Sequence, residues 1–131
     1  APGLPAGMTI EGVREIRDEE HSHYLLLAAA IETLGGDPTA MTPCADVTGV
    51  QGMGLVQAMG EPRLTIAQAL STLLAAEVID NASWELLIDL ATQFGQDELA
   101  AQFTEALAAE QRHEVTVRQW MATALTEEAG V

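Results

Sequence analysis

The chain has 131 residues, 48% of them hydrophobic, which is enough for one core, and no change in composition along its length marks a second domain. Twenty acidic residues stand against five arginines and no lysine, a formal charge of −15 that repels nucleic-acid phosphates and anionic membranes, so neither is expected as a partner. The longest uninterrupted apolar stretch, Tyr24 to Ile31, falls far short of the roughly 20 residues a bilayer needs, and no basic-then-apolar signal segment opens the chain.

A soluble protein is therefore expected, with an exported or a cytoplasmic setting both open. Adaptation of the surface to solubility or salt is the simplest cause of the acidity, with attraction of cations as a by-product. The single cysteine, Cys44, has no internal disulfide partner and no Cys or His at metal-site spacing, and it reads as an incidental loop thiol.

Residues 1–9 carry Pro2, Gly3, Pro5 and Gly7 and predict a non-helical lead-in. Thr9 is a candidate N-cap, although Gly12 three residues later leaves no capping box. The first helix is expected over residues 10–34. Its stripe of Val13, Ile16, Glu20, His23, Leu27, Ile31 and Leu34 recurs at helical spacing, and Gly35-Gly36 followed by Pro38 ends it.

Residues 35–63 hold Gly35, Gly36, Gly49, Gly52, Gly54 and Gly60 together with Pro38, Pro43 and Pro62. They read as one long connecting loop with at most a helical turn at Leu55 to Met59. A loop of that length needs a reason, and a crossover joining two helices that run the same way along a bundle supplies one. The second helix begins after Thr65, which forms a capping-box pattern with Gln68, and ends before Gly95; its stripe is Ile66, Leu70, Leu73, Glu77, Asp80, Trp84, Ile88 and Ala91. The third starts near Asp97, carries Leu99, Phe103, Ala106, Glu110, His113, Val117, Trp120 and Ala124, and is expected to fray after Thr126. No strand pattern occurs, so the expected fold class is all-α, a bundle with three long helices in a single domain spanning residues 1–131.

Each stripe places ionisable residues where a core-facing helix normally has apolar ones. Residues three apart share a helical face, so Glu20 with His23, and Glu110 with His113, each direct a carboxylate and an imidazole into the bundle. Glu77 does the same from the second helix. Several buried carboxylates facing one another would not all stay ionised, and a multivalent cation removes that penalty. Carboxylate and imidazole suit iron or manganese, the lack of thiolates argues against the commonest structural zinc sites, and bridging carboxylates could hold two ions about 3.5 to 4 Å apart. The alternative is a set of paired core polar groups. Asp80 is either an extra or supporting ligand or a polar residue at the bundle edge. His21 faces away, Tyr24, Trp84 and Trp120 read as packing, and Met53 and Met59 read as packing within the loop.

Glu20-His21-Ser22-His23, Glu77 and Glu110-Gln111-Arg112-His113 resemble the ferritin-like superfamily of di-iron carboxylate proteins over nearly the whole chain. The nearer likeness is to bacterial ferritin-like domain proteins, including desiccation-related ones, whose first Glu-x-x-His helix runs into a break like Gly35-Gly36-Asp37-Pro38. That resemblance implies two iron ions, with manganese as the other candidate, bridged by Glu20 and Glu110, capped by His23 and His113, and completed by Glu77 as a terminal carboxylate. It further implies oxidation of Fe(II) by oxygen or peroxide; the alternative is a non-catalytic stress-related or structural bundle without a complete metal site.

The chain departs from the superfamily pattern at one point, because a glutamate is expected on a helix upstream of the first Glu-x-x-His. At about 100° per residue, Glu15 lies roughly 140° and Glu11 roughly 180° round the helix from Glu20, so neither can stand in. The chain is then expected to be a fragment, to be completed by a neighbouring subunit in a homo-oligomer, or to hold an incomplete site. The first two of these predict an apolar groove that a further helix would fill.

Overall fold

Thr9 accepts a hydrogen bond from the Gly12 N–H and starts α1, which runs Ile10–Thr33. In the computed structural model, which describes residues 3–130, α1 is followed by α2 (Pro43–Met59), α3 (Ile66–Gln93) and α4 (Asp97–Glu128). No strand occurs among the described residues, so the all-α expectation holds. The Thr65/Gln68 capping box forms in both directions at the start of α3. Gly95, with φ 70°, ends that helix by turning left-handed, so the Gln96 N–H can return to the Ala91 carbonyl at 2.8 Å. The last helix continues two residues beyond the expected fraying point.

The connection over residues 35–63 is not the loop its glycines and prolines suggest, because 17 of its residues form α2. Pro43 sits in the first turn, where no N–H is required, and Thr42 caps the start by accepting from the Ala45 N–H. The three internal glycines cost roughly 1 kcal/mol each relative to alanine. Packing of α2 against α3 works against that cost, with Leu55, Val56 and Met59 lining a cleft opposite Thr72, Leu73 and Ala76. No residue of α2 is buried, so this helix straps the outside of α3 and leaves the core to the other three. Cys44 lies in its exposed first turn, not in a loop.

Two apolar clusters define how the long helices run. Ile16 packs with Ala67, Leu70, Val117, Trp120 and Ala124, whereas Ala30 packs with Trp84, Ala91, Leu99, Phe103 and Ala106. The early part of α1 thus meets early α3 and late α4, and the late part meets late α3 and early α4. It follows that α1 and α3 are parallel and α4 is antiparallel to both, as a crossover between α1 and α3 requires. Burying a side chain the size of Trp84 or Phe103 contributes about 1.5–3 kcal/mol, so these clusters set the register.

Between the late halves of α1 and α3 lies an open apolar cavity of about 650 Å³, lined by Leu27, Ile31, Leu34, Leu87, Leu90 and Phe94 among others. Ile31 and Leu34, expected to face the core, are exposed on its wall. Among the described residues no helix is long and apolar enough to cross a membrane.

Candidate metal centre

The ionisable residues occupy the layer between the two apolar clusters. Glu77, Glu110 and His113 are almost wholly buried, at 2%, 0% and 3% exposure, because α3 and α4 press their stripes together at this level. Glu20 and His23 reach in from α1 and are partly buried. One ligand atom each from Glu20, Glu77, Glu110 and His113 falls within 4.8 Å of the others. His23 adjoins this group through its Nδ1, 2.8 Å from Oε1 of Glu110. All five sequence-predicted residues therefore meet at one place, four in a tight cluster and the fifth on its flank. Trp84 packs edge-on against the His23 ring, with centroids 5.6 Å apart, and holds it in position.

Three carboxylates converge on a single imidazole nitrogen. His113 Nδ1 lies 3.0 Å from Glu20 Oε1, 3.6 Å from Glu110 Oε2 and 3.7 Å from Glu77 Oε2. One N–H can make one good hydrogen bond, and Glu20 takes it. Consequently Glu77 Oε2 and Glu110 Oε2 are buried without a hydrogen-bond partner, as are His113 Nε2 and Asn81 Oδ1. Orphaned buried carboxylate oxygens are costly, about 1–3 kcal/mol each and more when charged. A cation among them would satisfy both oxygens, so the donor set fits a metal ion of the oxygen- and nitrogen-preferring kind.

Electrostatics follows from this crowding. Burial pushes the Glu77 carboxyl up to about 7, with Glu110 and Glu20 repelling its charge and His113 partly offsetting them. Burial likewise raises Asp80 to about 7, reinforced by the charges of Glu110 and Glu20. Glu20 is also raised, chiefly by burial. Glu110 goes the other way: burial opposes its charge, but its close neighbours His113, Glu77, Glu20 and His23 outweigh that and bring Glu110 down to about 2. His113 is pushed up to about 12 against the effect of burial, by Glu110, Glu20 and Glu77. A histidinium thus forms the positive centre of an acidic ring.

Two residues at the centre lie outside the expected set. Asn81 donates from Nδ2 to the backbone carbonyls of Glu77 at 2.9 Å and Glu110 at 3.2 Å, tying α3 to α4 where both ligands project. Its position four after Glu77 and three before Trp84 put it on the same face, a signal available in the stripe. Glu19 directs Oε1 to within 3.4 Å of His113 Nε2, and its Oε2 lies 3.6 Å from Arg112 Nη2. About 100° round the helix from Glu20, it falls off the α1 stripe and gave no such signal. His21 is exposed, as expected; Tyr24, expected to pack, is 66% exposed at the mouth of the site.

No protein-family model, no curated protein and no solved structure matches this chain. The class that fold and site define is an all-α bundle with a buried carboxylate and histidine cluster able to hold a metal ion.

Proposed function

We propose that the chain is a di-metal carboxylate protein of the ferritin-like kind, in which Glu20, His23, Glu77, Glu110 and His113 hold two iron ions, or manganese ions in their place. The observation that carries this reading is the convergence of three carboxylates on His113 Nδ1, with two of their oxygens buried and unpartnered. Glu110 is suited to bridge two ion positions, since Oε1 faces His23 and Oε2 faces His113. A pair of Fe(II) ions held there would supply the electrons to reduce oxygen or peroxide. The chain's own residues would offset the ions' charge, with Glu110 and Glu20 shared between them, and exclude bulk water on the α3/α4 side. Glu19 and Asn81 hold His113 and the two ligand-bearing helices in place.

The test is anaerobic titration of the purified chain with Fe(II), followed by exposure to oxygen or peroxide. Stoichiometric binding, Fe(II) oxidation faster than in protein-free buffer, and loss of both in Glu110→Ala are expected. Absence of stoichiometric binding, or a Glu110→Ala variant with unchanged metal response, overturns the reading. The second reading is a bundle that works without metal, and the internal compensation of the acidic ring by protonated His113 favours it. A protein that ignores iron but retains its helical stability would support that alternative.

A further inference from the structure

Building on the metal-centre reading, we propose that Asp80 is a sixth protein ligand, which with His23 forms the ion position on the side that opens toward the groove between α1 and α3. The four-residue cluster of Glu20, Glu77, Glu110 and His113 offers four donor atoms within 4.8 Å of one another, enough to hold one ion. His23 lies outside that set and meets it only through Glu110 Oε1. A second ion bound there would have one imidazole and shared carboxylates, but no terminal carboxylate of its own. Asp80 stands one turn after Glu77 on α3 and lines, with Glu20, His23, Tyr24 and Trp84, a cavity of about 230 Å³ beside the cluster. It is partly buried there, in the same cavity wall as His23 and Glu20.

Charge balance points the same way. Two divalent ions carry four positive charges, while Glu20, Glu77 and Glu110 supply three negative ones. Asp80 supplies the fourth, so the filled site becomes neutral, which a low-dielectric interior favours. No other acidic side chain shares the cavity with His23 and Glu20.

Titration with Mn(II) alone tests the assignment, read by calorimetry for stoichiometry and by electron paramagnetic resonance for spin coupling between neighbouring ions. The native chain is expected to take up two Mn(II) with a coupled-pair spectrum. Asp80→Asn is expected to retain the first, weaken the second by at least about tenfold, and show isolated-ion signals. Asp80→Glu, which keeps a carboxylate, should recover part of the second affinity, and far-UV circular dichroism of both variants checks the fold. An Asp80→Asn protein that binds two Mn(II) as tightly as the native chain overturns the role of Asp80 while leaving the five-residue centre intact. A native chain that binds no Mn(II) and no Fe(II) overturns both.

Discussion

Asp80→Asn should have opposite effects with and without metal, and the metal-free effect can be worked from the structure. In the folded chain the Asp80 carboxyl is raised from an ordinary 3.8 to about 7. Because the folded value is the higher one, ionisation of Asp80 opposes folding. The penalty is absent below pH 3.8, grows through the interval to 7, and is complete above it. Each unit corresponds to about 1.4 kcal/mol, which sets a ceiling of about 4 kcal/mol at pH 8 and about 2 kcal/mol at pH 5. Partial solvent access at the cavity mouth reduces both figures, to about 1–2 kcal/mol at pH 8 and less at pH 5. Asparagine carries no charge at either pH. Urea denaturation of chelator-treated protein should therefore show Asp80→Asn more stable than the native chain at pH 8, with the gain shrinking toward pH 5. A gain of equal size at both pH values, or a loss at pH 8, would refute the reasoning, since either result removes charge repulsion as its cause. Saturating Mn(II) should reverse the order at pH 8, because ligand binding stabilises the native chain by more.

Asn81→Ala should destabilise the fold by about 0.5–1.5 kcal/mol in urea denaturation, because the side-chain hydrogen bonds that tie α3 to α4 are lost while both carbonyls keep their helical donors. Thr65→Ala should cost about 1 kcal/mol in the same assay by breaking the capping box of α3, while leaving metal stoichiometry unchanged. Metal binding should release protons, since His113 is protonated and Glu77 half-protonated near pH 7 in the metal-free chain. Calorimetry in buffers of different ionisation enthalpy should report that release, and apparent affinity should rise with pH between 6 and 8.

Much of the site was legible because its residues break a pattern. Glu20, His23, Glu77, Glu110 and His113 occupy stripe positions that the neighbouring Ile16, Leu70, Trp84, Phe103 and Val117 mark as inward-facing, so periodicity alone brings them to one layer. Helix α2 was not legible for the converse reason. Gly49, Gly52 and Gly54 each count against a helix locally, and what favours it is the packing of α2 against α3, which no local pattern encodes. The ends of the α1 stripe misled in another way. Ile31 and Leu34 keep helical spacing with Leu27, yet they line an open groove, because spacing reports which residues share a face and not whether anything covers it. Glu19 escaped for a related reason, since it acts across the helix interface from beside the stripe.

The polar layer also bears on whether folding and metal binding are separable. Many small metal sites gather ligands that repel each other in the free chain, so the apo form unfolds. Here His113 carries a proton at the point where three carboxylates meet, and that single charge helps hold Glu110 ionised while burial leaves Glu77 and Asp80 about half-protonated near pH 7. Apolar clusters flank the layer on either side, around Ile16 and Trp120 and around Trp84 and Phe103. On the proposed reading, metal uptake would exchange protons for cations within this layer. Its pH dependence follows from the same three carboxylates and one imidazole that make the site.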